Sequence, residues 1–366
     1  MPGNARAADL ATTRRLVLAH GYNATAYQLI NPGIARWFAP DRQAVVGYVA
    51  GHGYRVVAGS PVCAAAELGA VVGAFEADTE AAGLRTCYFA ADPRLADLLR
   101  ARGPLDRVLL GAQPVWDPAH WPAILASKAS LRAQCNRARN KRVTVRCWPN
   151  ARATAHPELT RCLAQWLATR GLPPLHFLVE PATLARLYDR RVFVAEQQGR
   201  AIGFLVASPI PERQGWLIEQ IIRGHGAPNG SAELLLDAAM RTLANDGARY
   251  LTLGLSPLSV RSGLQQRHRR AWLHLTLGWL RAHGRRFYDF EGLDAFKAKL
   301  MPEAWEPIWA ITGGHRISPR TLYAIAGAFG CTPLPLLALR ALLRAARREF
   351  LWLRKRIAGA RQTSAP

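Results

Sequence analysis

The sequence predicts an α/β (α+β) fold built as two lobes, and three observations lead to this prediction. The chain has 366 residues, enough for two domains and an extension. Of its residues, 50% are hydrophobic and 20% are charged, which is typical of a globular protein. Short alternating stretches typical of strands are separated by longer stretches with helical periodicity, once within residues 45–90 and again within residues 148–258.

The first lobe is predicted to span residues 1–146. It begins its sheet with paired strands at residues 45–49 and 54–58. An Ala-rich helix follows, and residues 84–90 begin another strand. This order is that of one α/β lobe.

A basic stretch connects the two lobes. No Asp or Glu occurs between Asp117 and residue 146, and a helix predicted over residues 122–140 gathers positive charges on one broad face. This face is a candidate for contacts with RNA or lipid phosphates, and the alternative is a solvated helix that only joins the lobes. The residues that we assign to such contacts are Arg139, Lys141 and Arg142.

The second lobe, residues 147–311, carries candidate chemistry on a strand predicted at residues 215–223. Before it, Gly199 suits the turn of a hairpin. The strand alternates, so Glu219 and Arg223 are predicted to share one face with apolar neighbours. Such a pair serves either in acid–base work and phosphate binding or as a structural ion pair.

A helix is predicted after the loop that follows this strand. Ser231 is placed at the N-cap, Glu233 in the first turn, and Gly247 after the last turn. A strand at residues 250–255 then completes an order typical of acetyltransferase-like (GNAT) cores, in which the helix N-terminus cradles the pyrophosphate of coenzyme A. Pro228 has no N–H to donate there, so coenzyme A is not favoured.

Positive charge dominates the chain. There are 48 Lys and Arg residues against 25 Asp and Glu, a formal net charge of +23. A polyanion, either nucleic acid or an anionic membrane, is the natural partner, although an arginine-rich composition can also serve solubility alone. Residues 247–288 form a second acid-free run. Its arginines assigned to phosphate contacts are Arg269, Arg270 and Arg286.

The segment 286–309 combines aromatic residues, lysines and acids. Asp294 is predicted to cap a short helix that Pro302 ends. At about 100° per residue, Lys297 and Lys299 border the apolar stripe of this helix on opposite sides. They can reach a phosphate or a developing oxyanion, or they can extend along a packed surface without a catalytic role.

Cysteine usage bears on location and on metals. None of the six cysteines forms a CxxC pair or a metal-type Cys/His spacing, so no metal site and a reducing cytoplasmic location are predicted. No charged n-region leads into an apolar stretch and a cleavage site.

The tail, residues 312–366, is basic and has Glu349 as its only acid. Its uncharged run 321–339 is interrupted by glycines and prolines, so an interfacial or re-entrant segment is preferred over a bilayer span. A basic amphipathic helix is predicted over residues 336–357. This interpretation places the protein in the cytoplasm, peripherally associated with the inner face of the plasma membrane. The alternative is a C-terminal helix docked on its own protein.

Several blocks of residues together resemble a known family. They are Gly21-Tyr22-Asn23-Ala24 with Tyr27, Gly47-Tyr48, Gly59-Ser60-Pro61, Gly203-Phe204, Glu219 with Arg223, Pro228-Asn229-Gly230, Phe290-Glu291-Gly292-Leu293, Phe296-Lys297-Ala298-Lys299 and Trp305-Glu306-Pro307. Over about residues 16–311 the chain resembles the C-terminal catalytic domain of phosphatidylglycerol lysyltransferases, also called aminoacyl-phosphatidylglycerol synthases. The last three blocks are the most specific.

The resemblance implies two tandem acetyltransferase-like lobes, an aminoacyl-tRNA donor, an anionic phospholipid acceptor, and neither coenzyme A nor another cofactor. On this basis we assign catalysis to Glu219, Arg223, Lys297 and Lys299. The substrate-binding residues assigned in the same way are Asn23, Tyr27, Asn229, Glu233, Phe290 and Glu306. The flippase region that often precedes this domain is absent, so a separate flippase is expected to move the lipid product.

Three positions depart from the family pattern. Ser60 and Glu219 stand where Asp is common, and Glu291 stands where a basic or amide residue is common.

The expected aminoacyl transfer requires that the enzyme position both substrates, transfer a proton and stabilise an oxyanion. It requires no cofactor, because the tRNA ester is already activated. The rival interpretations are a coenzyme A-dependent N-acyltransferase and a non-catalytic adaptor that binds nucleic acid or membrane.

Overall fold

The computed structural model describes residues 2–169, 176–264 and 290–330. Within them, twelve strands form one mixed sheet. The strands are β1 Ala35–Phe38, β2 Val45–Gly51, β3 Tyr54–Ala58, β4 Arg85–Ala91, β5 Leu105–Trp116, β6 Thr144–Trp148, β7 Arg191–Gln197, β8 Arg200–Ile210, β9 Gly215–Arg223, β10 Tyr250–Thr252, β11 Ser256–Pro257 and β12 Ala304–Gly313. The α-helices are α1 Pro2–His20, α2 Leu68–Ala81, α3 Pro93–Arg102, α4 Trp121–Ser127, α5 Ala129–Asn140, α6 Asn150–Ala153, α7 Pro157–Ala168, α8 Ser231–Asn245, α9 Phe290–Lys299 and α10 Pro319–Phe329.

The strands follow the order β1-β2-β3-β4-β12-β5-β10-β9-β8-β7-β6, and β11 also pairs with β5. Two neighbouring pairs are parallel, β3 with β4 and β9 with β10. Each of these pairs is connected by a helix, α2 in the first case and α8 in the second, as a parallel crossover requires. The predicted α/β fold is confirmed, and its strand–helix–strand unit occurs twice.

Strand β12 joins the second half of the chain to the strands of the first half. It follows most of the predicted second lobe, yet it pairs with β4 on one side and with β5 on the other. Its residues Trp309 and Ile311 are buried in a core of the first half. The sheet is therefore continuous across the boundary predicted at residue 146, and the division into lobes stays a prediction.

Apolar side chains cover both faces of the sheet. The neighbouring residues Val56 and Val57 of β3 belong to different cores, as strand alternation requires. In the second half, Phe193 packs in the core that includes α4, α5 and α8, while Val194 packs in the core beneath α7. Because apolar side chains fill both faces of the sheet, we expect functional polar side chains at strand ends, at bulges and in the loops that follow them.

The hairpin between β7 and β8 turns at Gln198 and Gly199, which have φ values of 52° and 75°. Positive φ at both positions is what a two-residue hairpin turn requires, so the predicted role of Gly199 is confirmed.

Three helix predictions need correction. The basic helix predicted over residues 122–140 is two helices, because Lys128 between α4 and α5 is extended. This break lets both helices bury side chains in the same core. The N-cap of α8 is Gly230, with φ of 92°, and the Ser231 hydroxyl donates instead to the Pro228 carbonyl oxygen (2.7 Å). Helix α9 begins at Phe290, so Asp294 lies inside it rather than at its cap.

Helix α10 lies within the predicted tail and packs on β2 and β3. Ser318 caps it, and it buries Ala324 and Ile325 in a core of the first half. The first part of the predicted interfacial segment is thus docked on the protein, which corrects the preferred interpretation. The helix predicted over residues 336–357 lies outside the described residues. Across the described ranges, no helix has the length and apolarity needed to cross a bilayer.

Candidate functional site

Strands β9 and β10 separate after a short stretch of pairing. The pairing begins at Gly215 with Tyr250 and ends at Leu217 with Thr252. The chain then leaves β9, and β11 pairs with β5 instead. The rest of β9 keeps only β8 as a strand partner among the described strands. Helix α9 and the loop after β10 meet at this point.

Lys297 anchors α9 to that loop. Its Nζ donates to the carbonyl oxygens of Gly254 (2.8 Å) and Leu255 (2.9 Å), and only 3% of the residue is exposed. Burial lowers the pKa of the Lys297 ammonium to about 7, against the opposing effect of the Asp294 carboxylate. Both protonation states are therefore available near neutral pH, as a general base or acid requires.

Buried polar atoms without hydrogen-bond partners gather at the same place. In the described part of the chain they occur on Arg94, Ser208, Ser256, Ser262 and Asp294. Ser256 and Ser262 belong to the loop after β10, and Asp294 is joined to that loop by an ion pair with Arg261 (2.7 Å). Proteins pair nearly all their buried polar atoms, so this cluster indicates a place where a ligand completes the hydrogen bonding.

Lys299 has a different partner from Lys297. Its Nζ lies 2.6 Å from Glu233 Oε1, in the first turn of α8, and 5.2 Å from the ring centroid of Phe296. Glu233 is buried, so the ammonium neutralises a carboxylate that water does not reach. The pair ties α9 to the N-terminus of α8.

Glu219 is the extra residue of a β-bulge in β9. Ala207 of β8 pairs with Ile218, and the residue before Ala207 pairs with Gln220, so no residue of β8 lies opposite Glu219. The bulge interrupts the alternation that the sequence predicts and exchanges the faces of the strand. Ile218 and Ile221, which the alternation places on opposite faces, accordingly pack in the same core, so the predicted alternation along this strand is wrong.

The partner of Glu219 is Arg190, whose side chain is fully buried. Its Nε and Nη2 donate to the two carboxylate oxygens at 2.8 and 3.3 Å. The remaining donors reach the Arg186 carbonyl oxygen (2.8 Å) and Asn31 Oδ1 (3.0 Å), and the guanidinium lies over the Tyr27 ring. This saturated ion pair favours a positioning role for Glu219 over that of a free base.

Tyr27 and Asn23 are buried and bonded within the protein. The Tyr27 hydroxyl donates to Asp189 Oδ2 (2.8 Å), and burial raises the pKa of this hydroxyl. Asn23 Nδ2 donates to Asp92 Oδ2 and to the Ala90 carbonyl oxygen, both at 3.0 Å. Ala90 is a bulge residue of β4 with φ of 63°, a strained conformation that these bonds support. Both side chains thus hold the scaffold together.

Glu306 forms another saturated cluster at the start of β12. Its oxygens accept from Arg213 (2.5 and 2.9 Å), and Oε2 also accepts from Gln113 (2.9 Å) and the Tyr250 hydroxyl (3.0 Å). Burial acts to raise the pKa of the Glu306 carboxyl, but the hydrogen bonds and charge of Arg213 outweigh it and hold the pKa below its usual value. Glu306 is therefore ionised and internally paired.

The basic residues of α5 lie at the surface. Arg139 binds Asp237 (2.6 Å), a buried carboxylate that Arg241 also binds (2.8 Å). Lys141 and Arg142 are exposed at the end of the helix. The predicted residues that lie outside the described part of the chain are Arg269, Arg270 and Arg286, and the side chain of Phe290 is not described either.

The four residues assigned to catalysis differ in their partners and in their exposure. Lys297 and Lys299 lie on α9 with separate partners, Glu219 is bound to Arg190, and Arg223 is exposed, as is the predicted substrate-binding residue Asn229. Within the described ranges, no group of three or more His, Cys, Asp or Glu side chains can hold a metal ion.

Sequence reasoning missed three residues of these clusters. The sequence does contain a signal for Ser256 as a site residue, because its hydroxyl stands at the end of an apolar strand, directly before Pro257. Asp294 was assigned only a capping role. Arg190 carries no signal, because it is one arginine among many and its burial depends on the fold.

Comparison with known proteins agrees with the resemblance. The family model described as phosphatidylglycerol lysyltransferase, C-terminal, matches residues 14–312. The C-terminal domain of a putative lysylphosphatidylglycerol synthetase from Agrobacterium fabrum has a TM-score of 0.73 and 22% identity, covering 88% of this chain and 96% of that chain. L-PGS from Bacillus licheniformis has a TM-score of 0.71 and 18% identity, covering 90% and 97%. Among curated proteins, none matches the sequence significantly.

Proposed function

Because the chain belongs to the family of phosphatidylglycerol lysyltransferase C-terminal domains, we propose that it is an aminoacyltransferase that moves an amino acid from aminoacyl-tRNA to an anionic phospholipid such as phosphatidylglycerol. The observation that carries this proposal is the cluster of unpaired buried polar atoms beside Lys297. Such a cluster supports a ligand site at the divergence of β9 and β10, where the family's most specific residues lie.

The proposed reaction replaces one ester with another. The hydroxyl oxygen of the lipid attacks the carbonyl carbon of the aminoacyl ester and forms a tetrahedral oxyanion. The bond to the terminal ribose oxygen of the tRNA then breaks. The hydroxyl proton passes to a base and from it to the departing ribose oxygen, so the reaction needs no oxidant, reductant or activated cofactor.

Lys297 is the base that we assign to this proton. A neutral amine has two N–H bonds and one lone pair, and the two carbonyl oxygens of Gly254 and Leu255 account for both N–H bonds. The lone pair is then left to accept the hydroxyl proton. When protonated, the same group supplies a third donor for the oxyanion. A pKa of about 7 fits both steps.

The other assigned residues take supporting roles in this proposal. Lys299 and Glu233 fix α9 to α8, so that Lys297 is held in place. Arg190 and Glu219 hold the bulge of β9. Arg223 is exposed and free of that pair, which suits a contact with a substrate phosphate.

The surface of α5 supports a polyanionic donor. Two acids of the second half each bind two arginines: the buried Asp237 binds Arg139 and Arg241, and the partly buried Glu196 binds Arg146 and Arg152. The surface charge is therefore positive even after pairing. We propose that Arg139, Lys141 and Arg142 contact phosphates of tRNA or lipid. Work at an anionic lipid surface also requires peripheral contact with the membrane and, for export, a separate flippase.

The coenzyme A alternative is disfavoured by the packing of α8. A Cβ placed at Gly230, the N-cap, would lie 2.0 Å from the carbonyl oxygen of Gln134 in α5. The backbone of α5 therefore covers the helix N-terminus that would cradle a pyrophosphate. The first turn also carries Glu233, whose carboxylate already takes the Lys299 ammonium as its partner.

The test is lipid analysis of cells that produce the protein or its Lys297→Met variant. A new ninhydrin-positive phospholipid is expected from the wild-type protein and not from the variant. Purified protein with aminoacyl-tRNA and phosphatidylglycerol vesicles should give the same product. Binding of RNA or vesicles without product, at equal affinity for both proteins, would identify an adaptor, and thermal stabilisation by coenzyme A would favour the N-acyltransferase.

A further inference from the structure

Several buried or nearly buried carboxylates of the second half bind a cation of the protein itself. Glu219 is bound by Arg190, and Glu233 is bound by Lys299. Asp237 is bound by Arg139 and Arg241. The same holds for other partly buried acids of this half, namely Asp189 with Arg14, Glu212 with Arg94 and Glu306 with Arg213.

Two further buried acids are also saturated. Asp92 accepts from Asn23 Nδ2, Ser60 Oγ and the backbone N–H of Leu95. Glu180 contacts His176 Nδ1 at 2.7 Å and accepts from a backbone N–H. Both acids thus have their hydrogen bonds made within the protein.

The residues outside the described ranges add few acids by sequence. Residues 170–175 contain none, residues 265–289 contain only Asp289, and residues 331–366 contain only Glu349. These ranges therefore hold two acids in all.

Asp294 differs from the other partly buried acids. Its Oδ2 binds Arg261 at 2.7 Å, while its Oδ1 is buried and has no hydrogen-bond partner. It lies one turn before Lys297 on α9 and beside the loop that holds the unpaired Ser256 and Ser262 hydroxyls. A single carboxylate oxygen can accept a hydrogen bond from one ammonium group. Every aminoacyl-tRNA carries such a group, the α-ammonium, on the α-carbon of its amino acid.

We propose that the aminoacyl group transferred by this protein has an uncharged side chain, and that Asp294 Oδ1 receives its α-ammonium. This inference rests on the proposed function. A lysyl or arginyl group would bring a second cation into a site where, among the residues that the structure describes, no further unpaired buried carboxylate oxygen is found. Leaving such a charge unpaired is expected to slow transfer by roughly 100-fold or more. The product from phosphatidylglycerol then has one negative and one positive charge, and no net charge.

The test uses the purified full-length protein with phosphatidylglycerol vesicles and four separate donors. These are tRNAs charged with isotope-labelled alanine, serine, lysine or arginine. The labelled lipid is measured by mass spectrometry. Alanine or serine transfer is expected to exceed lysine and arginine transfer by roughly 100-fold or more. Lysine or arginine transfer at a comparable rate would overturn the inference while supporting the proposed function. No transfer from any donor would overturn the proposed function and this inference with it.

Variants of the Asp294 pair separate substrate binding from structure. Asp294→Asn removes the charge that receives the α-ammonium, so KM should rise for alanyl and seryl donors alike while kcat changes less. Arg261→Gln breaks the same ion pair but keeps the carboxylate, and its KM should not rise. Equal KM increases in both variants would show that the ion pair acts only through loop structure, and would overturn the role of Asp294.

Lys299→Met frees Glu233 beside the same helix. The ratio of lysyl to alanyl transfer should then rise, because a buried carboxylate has become available to a side-chain cation. An unchanged ratio, measured on variant protein that is still folded, would overturn the argument from occupied carboxylates.

Discussion

Two buried polar clusters, one around Arg190 and one around Lys297, differ in how completely their hydrogen bonds are made. The Arg190 guanidinium donates hydrogen bonds to three acceptors, which are the Glu219 carboxylate, the Asn31 side chain and the Arg186 carbonyl oxygen. Around Lys297, the amine is bonded to two carbonyl oxygens, but Ser256 Oγ and Asp294 Oδ1 nearby have no partner. Both clusters contain residues that sequence reasoning assigned to catalysis.

The difference separates scaffold from site. A saturated buried ion pair stabilises one arrangement of the backbone, and removing either charge leaves the other uncompensated. An unsaturated cluster costs folding free energy unless something binds there. We therefore expect variants of the Arg190 cluster to change stability first, and variants of the Lys297 cluster to change activity first.

The largest expected effect is on activity at Lys297. Lys297→Met keeps a long side chain but removes the base, so the rate of aminoacyl transfer should fall by about 100-fold or more. The rate is measured as labelled lipid formed by purified protein. Urea unfolding of the same preparation serves as the control for folding. Activity within threefold of the wild-type rate would remove Lys297 from the mechanism and weaken the distinction between the clusters.

The next effect is on stability at Glu219. The sequence alone favours loss of transfer with an intact fold for Glu219→Gln. The structure instead predicts a loss of about 3–5 kcal/mol in the free energy of unfolding, because the buried Arg190 guanidinium loses its counter-charge. Urea unfolding measures it. The double variant Arg190→Met, Glu219→Gln should recover part of the loss. A stable Glu219→Gln protein without activity would return Glu219 to the reacting centre.

The sequence predicts the fold better than it predicts the partners of its polar residues. Strand β9 is predicted with its observed bounds, because its apolar residues and the glycine at its first position are local signals. The bulge at Glu219 is not predicted, since it depends on pairing with β8. Lys297 is singled out by its family-like block, whereas its two carbonyl partners are brought to it by the path of the loop after β10.

A smaller effect concerns pH and again involves Lys297. Burial lowers the pKa of Lys297 in the folded protein to about 7 from the usual lysine value of 10.5, so below pH 7 the folded protein carries the full cost of a buried ammonium. As pH rises from about 7 to about 10, the unfolded chain keeps the proton and the folded one does not. Wild-type stability should then rise relative to Lys297→Met, by at most about 1.4 kcal/mol per pH unit. Parallel curves for the two proteins in urea unfolding across this range would contradict the lowered pKa.

The smallest effect compares two serines that share one property and differ in place. Ser208 on β8 and Ser256 on β11 are both fully buried, and the hydroxyl of each lacks a hydrogen-bond partner. Replacing either by alanine removes an unsatisfied group, so the free energy of unfolding should change by no more than about 1 kcal/mol in both variants. Only Ser256→Ala should also impair aminoacyl transfer, by a few-fold through KM, because only Ser256 lies beside Lys297. Equal activity of the two variants would mean that the unpaired hydroxyl at Ser256 is a packing defect like that at Ser208, and would leave Ser262 and Asp294 as the unpaired groups of the cluster that can bind a ligand.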